Sequence, residues 1–447
     1  MVPLDRVLVV GLGLTGQAVV RACIERGVPV VVAEDRPLDP HRQLAEELGF
    51  DLVAAPAASE LDRLIADASA VLPSPGVPEA HRLFASAARV GRPIISEFDL
   101  AAVWDDRPVA AITGTNGKTT VTMMVTAMLR ASGLCAEAVG NTETALVAAL
   151  GDASTDVFVV EASSFRLGHS QYFKPRVGTW LNFAPDHLDV HASLEVYVEA
   201  KARIWSDQGP DDLAIANAED PEVLARSVGL TAERRTFGVT PGSMADYRRD
   251  GAMLRGPDQD LVAVEELPRS LPHDMANALA AAATALGVGA DIEGVRTVLR
   301  SFEGLAHRVE FVAEHEGVRF FNDSKATAPH ATATAVSGFD SVVLIAGGKN
   351  KGLDLAALAA DVSRIRTVVA IGDSADEIER AFAGKRPVSR AGTMAEAVSS
   401  AAGVARRGEV VLLSPGCASF DWYGSYGERG DDFKQLVRAW VDTGSVS

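Results

Sequence analysis

Ala110-Ala111-Ile112-Thr113-Gly114-Thr115-Asn116-Gly117-Lys118-Thr119-Thr120 is the stretch on which the reading of the chain turns. Its apolar opening reads as a buried strand, its two glycines permit a tight turn, and Val121-Thr122-Met123-Met124-Val125 continues as a helix. Unpaired N–H groups at a helix N-terminus and the helix dipole both favour an anion. A phosphate chain can sit there with Lys118 as counter-charge and Thr119 as a Mg²⁺ ligand. Only Thr115 and Asn116 separate Gly114 from Gly117, so the loop is shorter than the standard P-loop, which has four residues between its glycines. The competing reading is a plain glycine turn.

Working outward, Arg6–Val10 reads as a strand, followed by Gly11-Leu12-Gly13-Leu14-Thr15-Gly16, a helical pattern, a second strand at Val28–Ala33 and then Glu34-Asp35-Arg36. This is a dinucleotide-type fingerprint in its expected context, although such a loop supports any pyrophosphate at a helix N-terminus. Ala70–Leu72 and Arg92–Ser96 read as two more strands, the first running into Pro73-Ser74-Pro75-Gly76, and a connecting helix follows around Phe98–Trp104. Beyond the phosphate loop, Asp156–Val160 delivers Glu161-Ala162-Ser163-Ser164 to a strand end, where a carboxylate can meet a phosphate-bound Mg²⁺. Val177–Phe183 reads as a strand ending near Asp186-His187-Leu188-Asp189, with Lys201 on a later helix; alone, Lys201 reads as a solvated helix charge. Asp212–Asn217 reads as a strand, the acidic stretch to Leu267 is less regular, and an alanine-rich helix starts with a cap near His273 or Asp274. The last part carries strands at Val318–Phe321, Ser341–Ala346, Thr367–Ile371 and Val410–Leu413, with loops at Gly347-Gly348-Lys349, Gly372-Asp373-Ser374 and Ser414-Pro415-Gly416. Alternation with helical segments makes it a parallel α/β unit.

A length of 447 residues suits about three domains. No apolar run approaches a membrane span, and the N-terminus shows no secretory pattern, so a cytoplasmic chain without membrane insertion is expected. Cys23, Cys135 and Cys417 are odd in number and far apart, which fits reduced thiols and no structural zinc. A net charge of −18 argues against nucleic acid as a partner. Anionic substrates then need local cations and helix N-termini.

Taken in order, Gly114 through Thr119, Glu161 through Ser164, Asn182 through Asp189, Lys201, Asp274 through Asn277 and Gly304-Leu305-Ala306-His307-Arg308 resemble the motif series of the Mur ligases, ATP-dependent amide-forming enzymes of peptidoglycan precursor synthesis. Asn322-Asp323-Ser324-Lys325-Ala326-Thr327, Ser74-Pro75-Gly76 and Leu413 through Ser419 look like the D-glutamate-adding branch, and no Asp-Asn-Pro-Arg of the diaminopimelate-adding branch is present. The chain departs from the pattern at Ala328, where Asn is usual, and at Thr142-Glu143, where Ile-Gly is common.

The resemblance implies three α/β domains: a Rossmann-like UDP-substrate domain over residues 1–97, a central P-loop-type ATP-binding domain over 98–304 and a Rossmann-like amino-acid domain over 305–447. It implies that ATP phosphorylates the alanyl carboxylate of UDP-N-acetylmuramoyl-L-alanine and that D-glutamate attacks the acyl phosphate, in a cytoplasmic monomer. Two Mg²⁺ ions are expected, one held by Thr119 and Glu161, the other by His187 and Lys201. The last demands chemistry that an ammonium lacks, so Lys201 is expected as its carbamate. Lys118, Glu161, His187 and Lys201 form the catalytic set. ATP is expected on Gly114, Asn116, Gly117, Lys118, Thr119, Thr120, Asn141, Asn277 and Arg308. The UDP end would meet Gly13, Leu14, Thr15, Glu34, Arg36, Ser74 and Gly76. D-Glutamate would meet Lys325, Thr327, Lys349, Ser419 and Tyr426. Two rivals stand beside this reading: an NAD-dependent dehydrogenase using the first loop, and a nucleotide-binding switch without chemistry.

Overall fold

The computed structural model describes residues 4–186 and 190–443. The first sheet holds β1 (Val7–Val10), β2 (Val30–Glu34), β3 (Asp51–Ala54) and β4 (Ala70–Pro73) in the order β3-β2-β1-β4, all parallel. β1 is a short apolar run buried along its whole length, as a central parallel strand covered on both faces must be, and β4, the last strand in the order, is buried as well. The expected strand at Arg92–Ser96 is only a single parallel bridge from Ile94 to Val71. Pro93 has no N–H to donate, so the apolar pair Ile94-Ile95 lies beside β4 without extending a ladder. Ser96 then caps the helix Glu97–Trp104 by accepting from the Phe98 N–H at 3.1 Å.

The second sheet contains β5 (Val109–Thr113), β6 (Ala136–Gly140), β7 (Val157–Glu161), β8 (Val177–Trp180), β9 (Leu213–Asn217), β10 (Glu233–Gly238), β11 (Tyr247–Asp250), β12 (Met253–Arg255) and β13 (Asp260–Ala263). Their order is β13-β12-β11-β10-β9-β8-β5-β7-β6, parallel from β6 to β11 and antiparallel through the last two pairings. The expected strand Val177–Phe183 stops at Trp180 because the chain turns there onto the phosphate loop. The acidic stretch before Leu267, expected to be irregular, supplies β10 to β13. The alanine-rich helix spans Pro272–Gly287, so the expected cap at His273 or Asp274 lies within its first turn, and Ala280–Ala283 are completely buried.

The third sheet holds β14 (Glu310–His315), β15 (Val318–Asn322), β16 (Val342–Gly347), β17 (Ile365–Ile371), β18 (Val388–Arg390) and β19 (Val410–Leu413) in the order β14-β15-β19-β16-β17-β18. Only the β14–β15 pairing is antiparallel.

The chain forms two compact units. The first runs to Pro268 and includes Met275–Phe302, and the second takes Arg269–Asp274 and the described chain from Glu303 onward. The first unit contains two sheets because one apolar cluster runs from Val7 and Val9 through Phe98 and Leu146 to Phe158 and Trp180. In each sheet the strand order reverses beside one strand: β1, β5 and β19. A crevice opens at such reversals, at the C-terminal ends of the strands. Among the described residues no helix is long and apolar enough to cross a membrane, and Cys23, Cys135 and Cys417 are free thiols.

Candidate functional site

After β5 the loop uses Gly114 at φ +153° and Gly117 at φ +85°, and the helix Lys118–Ala131 begins without a side-chain cap. A Cβ on Gly117 would lie 2.7 Å from Asn277 Oδ1, so Asn277 packs directly against the loop. The Asn182 side chain, two residues past the end of β8, braces it. Its Oδ1 accepts from the N–H groups of Thr115 at 3.1 Å and Asn116 at 2.8 Å, and its Nδ2 donates to the Asn116 carbonyl at 3.1 Å. Sequence reasoning did not single out Asn182 for this role. Thr119 and Thr120 occupy the first helical turn.

Two lysines converge on one carbonyl. Lys118 Nζ donates to the carbonyls of Gly114 at 2.7 Å and Thr115 at 3.0 Å, and Lys201 Nζ donates to the same Gly114 oxygen at 2.8 Å. Lys201 is 1% exposed, on the helix Leu194–Ala202, with its ammonium 4.6 Å from the Tyr197 ring centre. It is therefore no solvated helix charge. Burial drives its pKa well below the usual 10.5 and the neighbouring Lys118 adds to the fall, with Asp186 opposing. Glu199, two positions before it, pairs with Arg226.

Glu161 ends β7, next to β5, and is 3% exposed. Its Oε1 accepts from Asn141 Nδ2 at 3.0 Å. Its Oε2, like the Ser163 hydroxyl oxygen, has no hydrogen-bond partner among the described residues. A buried anion left half-satisfied beside a phosphate loop is costly unless a cation completes it. The donor set fits Mg²⁺, which takes one or two carboxylates together with phosphates and water. Among the described residues no three His, Cys, Asp or Glu side chains gather into a cage. His187, expected at a second metal, lies outside the described residues.

From Glu161 a polar chain crosses to the first sheet. Arg166 Nη1 donates to Asn141 Oδ1 at 3.1 Å, and its Nη2 donates to Thr15 Oγ1 at 2.8 Å. Arg166 Nε lies 2.9 Å from Glu97 Oε1, out of line for a directed hydrogen bond. Glu97 is 1% exposed, and burial raises its pKa while Arg166 and the Val147 N–H pull it back. Neither Arg166 nor Glu97 stood out in the sequence.

The first glycine loop closes on itself: a Cβ on Gly16 would stand 2.2 Å from the Gly11 carbonyl oxygen. Glu34 serves this loop through backbone groups, accepting from the Leu12 N–H at 2.7 Å and the Arg36 N–H at 2.9 Å. The helix after Gly13 has no side-chain cap, and its free N–H groups suit a pyrophosphate. A cleft of about 600 Å³ joins Gly13, Leu14, Thr15 and Glu34 to Ser74 and Gly76 on one side and to Asn141, Thr142, Glu143 and Arg166 on the other. That is within the usual range for a ligand site. The departure at Thr142-Glu143 thus lies in the cleft wall. The Arg36 side chain is exposed beside β2.

The remaining candidates lie in the second unit. Lys325 Nζ donates to the Tyr426 hydroxyl at 3.1 Å, with the ammonium 4.8 Å from that ring's centre. Lys349 is exposed and exchanges backbone hydrogen bonds with Ala418, which brings it beside the buried Ser419. Thr327 follows Ala326, whose carbonyl accepts from the Gly416 N–H at 2.9 Å. Arg308 belongs to this unit, and its carbonyl accepts from Arg269 Nη1 at 2.9 Å. Arg429, 1% exposed, ties the loops together by donating to the Ser324 and Cys417 carbonyls at 2.8 and 3.1 Å. Burial lowers its pKa to about 10.

Comparison with known proteins adds three matched segments in chain order. They are a Mur ligase MurD-like N-terminal domain over residues 5–96, a Mur ligase middle domain over 112–285 and a Mur ligase glutamate ligase domain over 307–417. The chain is 38% identical over 449 residues to the UDP-N-acetylmuramoylalanine–D-glutamate ligase of Desulfosudis oleivorans, covering 97% of this chain and 96% of that one. It is 40% identical over 450 residues to the protein of the same name from Frankia casuarinae, covering 97% and 94%. Among solved structures it resembles a pseudomurein peptide ligase type C from Methanothermus fervidus, with a TM-score of 0.61 at 18% identity and coverage of 97% and 99%. It also resembles the UDP-N-acetylmuramate-alanine ligase of Thermotoga maritima, with a TM-score of 0.56 at 20% identity and coverage of 97% and 99%. At such identities these two likenesses speak for the fold.

Proposed function

Because the chain belongs to the Mur ligase family, matched along its length at 38–40% identity, we propose that it joins D-glutamate to UDP-N-acetylmuramoyl-L-alanine at the expense of ATP, in peptidoglycan synthesis. The observation that carries the chemistry is the convergence of Lys118 and Lys201 on the Gly114 carbonyl, near a strand-end carboxylate with one oxygen unpartnered. A sugar-nucleotide binder has no use for that arrangement. Phosphoryl transfer to a carboxylate brings two anions together and needs positive charge where the negative charge concentrates: Lys118 supplies it directly, and the buried Lys201 amine is placed to become an oxygen donor for a metal ion that supplies more.

On this reading the N–H groups of Gly117 to Thr120, at the start of the helix, cradle the ATP phosphates, while Asn182 holds the Thr115 and Asn116 N–H groups and so shapes the loop, with Gly114, Asn116, Asn141, Asn277 and Arg308 as further contacts. Lys118 neutralises the β- and γ-phosphates. The γ-phosphoryl group passes to the alanyl carboxylate, giving an acyl phosphate and ADP. The D-glutamate amine then attacks the carbonyl carbon, phosphate leaves, and the ammonium formed loses a proton. Mg²⁺, when bound, would be held by Thr119 and Glu161 and at a second site by His187 and the carbamate of Lys201, and would supply charge neutralisation. The depressed pKa of Lys201 supports its carbamylation, since only the free amine adds CO₂. Gly13, Leu14, Thr15, Glu34, Arg36, Ser74 and Gly76 take the uridine diphosphate end. Lys325, Thr327, Lys349, Ser419 and Tyr426 take D-glutamate, whose two carboxylates call for ammonium and hydroxyl donors. The division into domains is 1–97, 98–304 and 305–447.

The test is phosphate release from Mg-ATP with both other substrates present and with each withheld in turn. Release that requires UDP-N-acetylmuramoyl-L-alanine and D-glutamate together is expected. Release that ignores D-glutamate, or none at all, overturns the reading.

A further inference from the structure

Outside the residues assigned above, one buried cluster spans the first two sheets. Glu79 lies three residues beyond Gly76, on the loop after β4. Its Oε1 is 2.7 Å from His191 Nδ1, and its Oε2 accepts from the Ala192 N–H at 2.9 Å. A carboxylate can only accept, so His191 Nδ1 carries a hydrogen in either charge state. Nε2 of the same ring is 2.9 Å from the Ser164 hydroxyl oxygen, in the motif that follows Glu161. The imidazole is 4% exposed and is stacked with Phe165 at 5.4 Å, 12° between planes. It also packs on Tyr197 at 5.1 Å, and the Tyr197 hydroxyl reaches Thr115 Oγ1 of the phosphate loop at 3.3 Å. The loop that borders the UDP-substrate cleft is thereby joined, through one imidazole, to both the carboxylate motif and the phosphate loop.

We propose that Glu79 and His191 form a positioning latch that couples binding of the uridine diphospho-sugar to binding of the adenine nucleotide. The inference rests on the assignment of those two ligands made above. Neither residue touches a reacting atom. A ligand that settles the Ser74–Glu79 loop fixes Glu79, which fixes the ring and, through Ser164 and Tyr197, the walls of the phosphate site. Linkage then requires the converse effect of equal size.

The experiment is titration of the holoprotein with a non-hydrolysable ATP analogue plus Mg²⁺, with and without saturating UDP-N-acetylmuramoyl-L-alanine. In the wild type the sugar nucleotide should tighten analogue binding about five-fold or more. In Glu79→Ala that ratio should fall to within about two-fold of one while each ligand alone still binds. Glu79→Gln, which can accept only one of the two hydrogen bonds, should fall between and carries the test if the alanine variant does not fold. A merely structural role would lower thermal stability and leave the ratio intact. Wild-type coupling in both variants, or no coupling in the wild type, overturns the latch; a wild type that does not bind the sugar nucleotide at all overturns the functional assignment as well.

Discussion

Asp323 makes a prediction whose sign and size both come from its surroundings. It follows β15 directly and is 7% exposed, with Oδ2 accepting from the Ser414 hydroxyl at 2.7 Å and Oδ1 from the Val309 N–H at 3.2 Å. Burial pushes its pKa up from 3.8 to about 7, against the pull of those hydrogen bonds and of Arg308 and Arg269. The folded chain therefore holds this proton more tightly than the unfolded chain does. Its contribution to stability is fully present below about pH 4, is lost as the pH rises through 7, and is constant above that. The span from 3.8 to about 7 is roughly three pH units at about 1.4 kcal/mol each, so the loss approaches about 4 kcal/mol. Asp323→Asn keeps the size and removes the titration. Urea unfolding of both proteins at about pH 4, 5.5 and 7.5 should show the wild type losing ground steadily to the asparagine variant as the pH rises. A stability difference that stays flat, or that runs the other way, would refute this account of the buried carboxylate.

Gly16→Ala places a methyl where only 2.2 Å separates it from the Gly11 carbonyl oxygen. The overpacking costs about 1–3 kcal/mol, and the Michaelis constant for the sugar nucleotide should rise while that for ATP holds in initial-rate assays. Gly117→Ala combines a φ of +85° with a contact of 2.7 Å to Asn277; the left-handed backbone alone costs about 1–2 kcal/mol, and the ATP Michaelis constant should rise about ten-fold or more, with no change meaning that the loop is not the phosphate site. Lys201→Ala should lose most activity, and short carboxylates added to the assay should restore part of it; a fully active variant would exclude the carbamate. Lys349→Ala should raise the D-glutamate Michaelis constant far more than that for ATP, since a charge-assisted bond supplies about 1.5–3 kcal/mol, and equal effects on both would place Lys349 elsewhere.

What was legible beforehand is what local pattern encodes. Strand, glycine turn and helix at Gly11–Gly16 and Gly114–Lys118 are neighbours in sequence, and so is the carboxylate that ends β7. β10 to β13 were not legible, because Glu233-Arg234-Arg235-Thr236-Phe237-Gly238 and Tyr247-Arg248-Arg249-Asp250 are charged strands at one side of the sheet, without the apolar run of its centre. Arg255, for instance, is held there by Asp250 and Asp260, at 2.9 and 2.7 Å. Arg92–Ser96 erred the other way, since its apolar pair signals a strand that Pro93 cannot complete. Arg166 illustrates the deeper limit. Its partners Thr15, Glu97 and Asn141 are 151, 69 and 25 positions away along the chain, and nothing around Phe165-Arg166-Leu167 distinguishes it from a surface arginine.

The chain carries a net charge of −18, yet its proposed ligands are all anions, and the three sheets resolve that conflict in the same way. Each places small residues where the strand order reverses: Gly11 after β1, Gly114 after β5 and the Ser414–Gly416 turn after β19. Such turns let backbone N–H groups face a ligand, and these are positive without adding net charge. Full cations are held in place by carbonyls, as at Lys118 and Arg429, or stand at the exposed rim, as at Lys349. Several acids near the sites are engaged by the scaffold: Glu97 by Arg166 and Glu79 by His191, while Glu34, which lines the cleft, also accepts from the Leu12 and Arg36 N–H groups. Glu161 keeps a buried oxygen without a protein partner. The local field at each crevice is thus set by a few oriented dipoles and buried cations, and the acidic exterior has little authority over it beyond a Debye length of about 8–10 Å.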